Sequence, residues 1–331
     1  MGYPKIIVNL KKIKHNAFII NKKCNDYGIS VMGITKSFLA DPIITQILVD
    51  SGIEFIGDSR IENLKKIEHI KIPKVLIRIP MISEAKDVVL LSDISLNSEI
   101  KTIEALNSSS KLHNKIHKII LMIEMGDFRE GILFNEIENI LEKIKTLKHI
   151  DLIGVGTNFT CYGGIIPDGN KLKKFSEIVS FIENKLQKNL KIISGGNSSS
   201  LHLLGKVDFG KVNNLRIGEA IVLGQETAFG QKVKGCFQDT FILQAEIIEL
   251  KLKENSLRAI LALGKQDVDY EALIPLDSSI KVIGASSDHL IIDLSNSTTI
   301  YDIGDIINFR MGYFSLLRGM TSPYIKKELI Y

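Results

Sequence analysis

With 331 residues, the chain is long enough for about two domains and a large buried core. Its 45% hydrophobic and 24% charged content excludes intrinsic disorder, collagen-like repeats and a small disulfide scaffold. A net charge of +4 with no basic tail or arm argues against nucleic acid as a partner, and three dispersed cysteines with no Cys-x-x-Cys pair argue against disulfides and structural zinc.

The amino-terminal stretch MGYPKIIVNLKK lacks the apolar core of a signal peptide. Ile6 stands where a myristoylation motif needs Ser or Thr. No run approaches the roughly 20 apolar residues of a bilayer span. A soluble cytoplasmic protein with no membrane partner is therefore expected. Residues 5–9 read as a strand, and 11–25 as an amphipathic helix with Ile13, Ala17, Ile20 and Cys24 near one face. Eight short Ile- and Val-rich runs follow, at 31–35, 54–58, 74–80, 93–97, 119–125, 151–158, 191–197 and 214–218. Helix-period segments such as 59–70, 98–106, 135–147 and 170–187 separate them. Continuous apolar strands alternating with helices predict a parallel sheet covered on both faces. Eight such units predict a (β/α)8 barrel over residues 10–225. An open doubly wound sheet is the alternative, but the first strand lacks a Gly-x-Gly-x-x-Gly turn. After about residue 225 the pattern changes to strands and turns with no long helix, at 241–252, 257–263, 280–294 and 305–318. Residues 226–331, joined by the strand in 1–9, are thus expected to form a β-rich C-terminal domain.

Barrel chemistry sits at the carboxyl ends of the strands. Lys36 directly follows the first strand, where partial desolvation would lower its pKa and make the amine nucleophilic toward an aldehyde. The bland reading is a strand-capping lysine in water. The second strand ends at Asp58, and the sixth at Asn158, followed by Cys161 and Tyr162. The seventh ends in Ser194-Gly195-Gly196-Asn197-Ser198-Ser199-Ser200, where glycines and hydroxyls precede a helical run at 201–204. Such a loop suits a phosphate, or is merely polar and flexible. Arg216 is a cation inside an apolar strand and needs an acceptor, either a ligand or a neighbour such as Glu219. Arg129 sits in a polar loop, as a ligand contact or a solvated charge. His15, His69, His113, His117 and His149 read as surface residues. Asp288-His289 has no further ligand at metal-binding spacing, so no metal is expected.

Together these residues resemble the alanine racemase fold of pyridoxal-phosphate enzymes, and within it the ornithine racemase group. The matching stretches are GITKSF, GDSRIENLKKI, SLNSE, GGNSSSL, LRIGEAIVLGQE, ALGKQDVD and GASSDHLIIDL. The resemblance implies pyridoxal 5′-phosphate as cofactor, an amino-acid substrate and a homodimer. It makes Lys36 the Schiff-base lysine and one catalytic base. Asn197, Ser198 and Ser199 would form the phosphate loop, with backbone donors at Ile217 and Gly218. Arg216 would face the pyridine nitrogen, and Arg129 the cofactor's phenolic oxygen and the substrate carboxylate. Asn158 would replace a ring-stacking histidine, and Tyr324 would reach the phosphate.

The implied reaction is interconversion of L- and D-amino acids by proton abstraction at Cα, with ornithine or another basic amino acid favoured. A non-catalytic pyridoxal-phosphate carrier and a lyase or decarboxylase are the alternatives. The family's tyrosine after the lysine is absent from Ser37-Phe38-Leu39-Ala40, and Met122 replaces a carbamylated lysine. The family's second base is a tyrosine early in the β domain of the partner subunit, yet no tyrosine lies between Tyr162 and Tyr270. Asp288 and Asp267 are the substitutes considered for that role. Asp267, Asp269 and Asp288 also offer negative charge to a distal amine. Residues 251–256 run almost directly into Leu257, as though a segment present in the group had been deleted.

Overall fold

Alternate side chains along the apolar runs enter two different environments, and this division builds the barrel. The computed structural model describes residues 2–331; Met1, the first residue of the segment 1–9, lies outside the described residues. The chain begins with β1 (Lys5–Asn9), α1 (Leu10–Asn25), β2 (Ser30–Ile34), α2 (Pro42–Asp50), β3 (Phe55–Asp58), α3 (Ile61–Lys66), β4 (Lys74–Leu76), α4 (Ala85–Leu91) and β5 (Ile94–Asn97). It continues through α5 (Ile100–Leu112), β6 (His117–Ile123), α6 (Ile137–Thr146), β7 (Ile150–Thr157), α7 (Gly169–Leu186), β8 (Ile192–Asn197), β9 (Asn214–Ile217) and α8 (Glu219–Leu223). Strands β2 to β9 close into a parallel barrel, with β2 also pairing β9 so that Met32 lies opposite Arg216.

Met32, Val75, Ile94, Leu96, Ile120, Met122, Ile153 and Ile192 pack in one cluster inside the barrel. Their strand neighbours Val31, Leu76, Ile119, Leu121 and Leu215 belong to the larger core shared with the helices. Each such buried aliphatic side chain contributes about 1.5–3 kcal/mol.

The remaining elements are β10 (Phe241–Lys253), β11 (Ser256–Leu261), β12 (Leu273–Pro275), β13 (Lys281–Ala285), β14 (Leu290–Asp293), β15 (Ile306–Met311), α9 (Tyr313–Thr321) and β16 (Lys326–Ile330). The sheet runs β12-β15-β10-β11-β14-β13, and β1 pairs antiparallel with β10 and parallel with β16. Both ends of the described chain thus meet in the β-rich part. The short connection seen in the sequence is a tight hairpin: Lys253 pairs Ser256, and Glu254 turns at a φ of 56°.

Three expectations need correction. Residues 280–294 are not one strand but the hairpin β13–β14, folded back around Ser286–His289. Residues 305–318 are strand only as far as Met311, because Ser315, Leu316, Gly319 and Met320 are buried at helical spacing on α9. Gly319 allows that helix to approach, since a Cβ there would lie 2.9 Å from Ile6 Cδ1. His117 is not on the surface. It opens β6 at 3% exposure, hydrogen-bonded to Ser95 Oγ at 2.9 Å.

Candidate active site

At the carboxyl ends of the strands lies a cleft of about 500 Å³, a size suited to a small ligand with a cofactor. Lys36, Arg129, Asn158, Cys161, Asn197, Ser198, Arg216 and Gly218 line it. Residues from five barrel strands or the loops after them therefore converge on one space.

Lys36 sits on a short 3-10 turn after β2. The next residues after that turn, Leu39 and Ala40, both have positive φ, at 57° and 49°. Two successive left-handed non-glycine residues store local strain and fix where the turn points. Behind the turn, Thr35 Oγ1 donates to Asp58 Oδ2 at 2.6 Å, while Asp58 Oδ1 accepts from the Arg60 amide and Asn63 Nδ2. Burial lowers the pKa of Lys36, and the Arg129 charge lowers it further, while Asp58 and Glu219 oppose that shift. The Lys36 ammonium lies 5.8 Å from the centre of the Tyr313 ring.

Arg216 projects into the barrel from β9. Nη1 donates to Ser194 Oγ at 2.6 Å, and Nη2 donates to Thr157 O at 2.6 Å and Asn158 Oδ1 at 2.8 Å. Nε has no protein acceptor among the described residues, which leaves it free for a ligand. Burial lowers the arginine's pKa to about 10, so the group stays cationic at neutral pH. Gly156 makes room for it, because a Cβ there would stand 3.3 Å from Nη1. Among the described residues, Arg216 forms no ion pair with Glu219, the neighbour that stood as the alternative to a ligand. Glu219 instead accepts from Gln225 Nε2 at 2.9 Å, and burial raises its pKa.

Asn197 shapes the seventh-strand loop. Its Oδ1 accepts from the Ser199 amide at 2.7 Å, and its Nδ2 donates to Phe159 O at 2.8 Å and Cys161 Sγ at 3.1 Å. Gly196 carries a φ of 108°, and a Cβ there would strike Ser200 Oγ at 2.7 Å. Across the cleft, buried Asp127 holds the Cys161–Gly163 segment by accepting all three amides at its Oδ1. Arg129 lies on the same loop as Asp127 and forks onto Glu130.

Six of the sequence candidates do not line the cleft. Ser199 is fully buried beneath it, with a hydroxyl that has no partner. The Ile217 side chain enters the core on the helix side. Tyr324 is 71% exposed. Asp288 lies in the β13–β14 turn, bonded to His289 Nδ1 at 2.8 Å. Asp267 is also committed elsewhere, accepting from Ser322 Oγ at 3.0 Å, and Asp269 is not among the lining residues. The carboxylates that do line the cleft are Glu219 and Glu226.

Sequence reasoning missed Tyr313, Phe314 and Leu317, which form a wall of the cleft from α9. Burial raises the Tyr313 pKa, so the phenol stays protonated. The available signal was the helical spacing of the buried residues after Gly312.

The donor set fits a phosphorylated aromatic aldehyde. A desolvated amine can engage the aldehyde, a free arginine Nε can meet a ring nitrogen, and Ser198 beside Gly218 can receive an anion. Among the described residues, no group of three or more His, Cys, Asp or Glu side chains is arranged to hold a metal, and no helix is long and apolar enough to cross a membrane.

Residues 8–226 match the alanine racemase N-terminal domain family. The chain is 42% identical to an ornithine racemase of Acetoanaerobium sticklandii, covering 99% of this chain and all of that one. It is 37% identical to a lysine racemase of Thermotoga maritima, covering 99% and 98%. The first alignment spans 354 positions against 331 residues here, so that relative carries segments this chain lacks. Among solved structures, an alanine racemase from Corynebacterium glutamicum is similar with a TM-score of 0.80 at 13% identity, over all of both chains. A D-threonine aldolase from Filomicrobium marinum gives 0.80 at 11% identity, over 96% of this chain and 88% of that one.

Proposed function

The chain belongs to the alanine racemase family, and from that premise we propose that it is a pyridoxal 5′-phosphate-dependent amino-acid racemase acting on ornithine or lysine. The observation that carries this reading is the convergence of Lys36, Arg129, Ser198 and Arg216 on one cleft. When bound, the cofactor supplies an electron sink for negative charge at Cα.

The residues that line the cleft support the following roles for the protein. Lys36 would hold the cofactor through its aldehyde and would be the group that moves a proton on one face of Cα; its lowered pKa favours the neutral amine both roles need. Arg216, with its Nη atoms held by protein oxygens, would offer Nε to the cofactor's ring nitrogen and, as a fixed cation, would disfavour a proton there, a setting that suits racemisation. Ser198 and the backbone at Gly218 receive the phosphate. Arg129 receives the substrate carboxylate. Tyr313, Phe314 and Leu317 keep water from the amine.

We assign the cofactor site to the barrel, residues 10–225, and the covering wall to residues 226–331 with 1–9. A cytoplasmic homodimer completes the proposal. Asp288 lies outside the cleft of its own chain, so it can serve as the second base only if a partner subunit brings it there. The names of the two relatives favour a dibasic substrate, and Glu219 and Glu226 give the cleft matching negative charge.

The test is the visible spectrum of the purified protein supplied with pyridoxal phosphate, before and after borohydride, with Lys36→Ala in parallel. A band that borohydride bleaches and Lys36→Ala lacks is expected, together with loss of optical rotation from L-ornithine or L-lysine. A colourless wild-type protein overturns the cofactor assignment. A coloured protein that releases carbon dioxide or an aldehyde from the amino acid makes it a lyase instead.

A further inference from the structure

A chain of hydrogen bonds links the two cleft arginines. Arg129 donates through Nε and Nη2 to the carboxylate of Glu130, with Nη2 2.7 Å from Oε1. The same Oε1 accepts from Asn158 Nδ2 at 2.9 Å, and Asn158 Oδ1 accepts from Arg216 Nη2 at 2.8 Å. Two cations thus share one carboxylate, one directly and the other through an amide. The contributing segments follow β6 and β7 and lie within β9, so three barrel units are tied together.

The amide admits one orientation. Flipped, Asn158 would turn its NH2 toward a guanidinium and its oxygen toward a carboxylate. At 4% exposure, it has little water to compensate for that mismatch. Among the described residues, Arg216 forms no direct salt bridge with a carboxylate. Burial lowers the pKa of Arg216 and the Arg129 charge lowers it further, whereas Cys161 and Glu130 favour the charged guanidinium.

We propose that Glu130 is a positioning residue that couples Arg129 to Arg216 through Asn158, so that a carboxylate bound at Arg129 alters the contact between Arg216 and the cofactor ring. The proposal rests on the cofactor reading above. The physical step is a redistribution of one negative charge. A substrate carboxylate at Arg129 competes with Glu130 for the guanidinium. Glu130 then leans more strongly on Asn158 Nδ2, which polarises Oδ1 toward Arg216. A stronger acceptor at Nη2 reduces the pull that Nε exerts on the ring. Substrate arrival thereby adjusts the electronic setting of the site.

The experiment uses cofactor-loaded protein and propionate, a carboxylate with no amino group to react. In wild type, propionate should shift the cofactor's visible band and its pH titration. Glu130→Gln keeps the shape but removes the charge; Asn158→Ala leaves the Arg129–Glu130 fork intact but cuts the link. Both should retain a borohydride-sensitive band, and both should show the propionate response reduced about 5-fold or more, the lower end of ordinary coupling strengths. The double variant should show no further loss, and Glu130→Asp should restore part of the response. A purely structural role would change band intensity in all variants without removing the propionate shift. A full-sized shift in either single variant overturns the coupling while leaving the cofactor reading intact. A wild-type protein that develops no band overturns the cofactor reading, and this proposal with it.

Discussion

His117 offers a stability test with a definite sign. Its imidazole opens β6 in a buried position. Desolvation lowers the pKa from 6.5 to about 4; Lys115 adds to that shift and Asp93 opposes it. The neutral ring is therefore part of the folded state. Above pH 6.5 both folded and unfolded histidine are neutral, and the group's contribution is independent of pH. Between pH 6.5 and about 4 the unfolded chain takes up the proton and the folded one does not, so stability falls as pH falls. At 1.36 kcal/mol per pKa unit the whole loss is about 3 kcal/mol, most of it reached by pH 4.5. His117→Gln keeps a hydrogen-bonding amide for Ser95 but cannot titrate. Urea unfolding of both proteins at pH 7.5 and 4.5 gives the comparison, in which carboxylates common to the two cancel. Wild type should lose about 2–3 kcal/mol more than the variant. Parallel losses would refute a neutral, desolvated His117.

Other consequences concern the cleft. Tyr313→Ala should weaken cofactor affinity and raise the Lys36 pKa by admitting water, whereas Tyr324→Phe, at an exposed position, should leave both unchanged; cofactor titration of the purified variants decides. In wild type, the rate at which cofactor-free protein captures pyridoxal phosphate should rise with pH through a midpoint below the 10.5 of a free lysine, because burial favours the neutral amine; a midpoint at or above that value would refute it. Thr35→Val leaves Asp58 Oδ2 without its 2.6 Å donor and should cost about 1–3 kcal/mol, seen as a lower melting temperature. Gly196→Ala places a methyl group 2.7 Å from Ser200 Oγ at a φ of 108° and should reduce phosphate and cofactor affinity together, measured by calorimetry.

The barrel was legible because its strands are nearly continuous apolar runs, and a parallel sheet covered on both faces demands that composition. Lys36 and Arg216 were legible for a related reason: a cation beside or within an apolar run stands out. What the sequence hid was contact over long separations. Tyr313 reaches the Lys36 turn from the far end of the chain, and only the packing of α9 against that turn reveals it. Tyr324 has the same side-chain chemistry but sits beyond the helix, exposed to water. His117 was misread because its position among charged neighbours suggested a surface, whereas its strand begins two residues earlier than the apolar pattern implied. Glu130 was overlooked because an acidic residue next to an arginine in a loop reads as a solvated pair. Its contact with Asn158 crosses from one barrel unit to the next.

Arg216 shows why the upper barrel had to be built from small and polar residues. The lower interior is aliphatic, with Met32, Val75, Ile94, Ile120, Ile153 and Ile192 excluding water. A guanidinium directly above such a layer loses much of its hydration, and an unpaired cation there would cost several kcal/mol. Three oxygens, from Ser194, Thr157 and Asn158, offset that loss. Ser194 lies on β8, the strand paired with the arginine's own, Thr157 and Asn158 lie at the end of β7 one strand further round, and Gly156 supplies the space. Because all three bind the Nη atoms, the arginine is both stabilised and oriented, with Nε left toward the cleft. The same residues that make the buried charge tolerable therefore aim it. A substitution such as Ser194→Ala should consequently disturb the spectrum of bound cofactor as well as stability, and an effect on stability alone would separate the two roles.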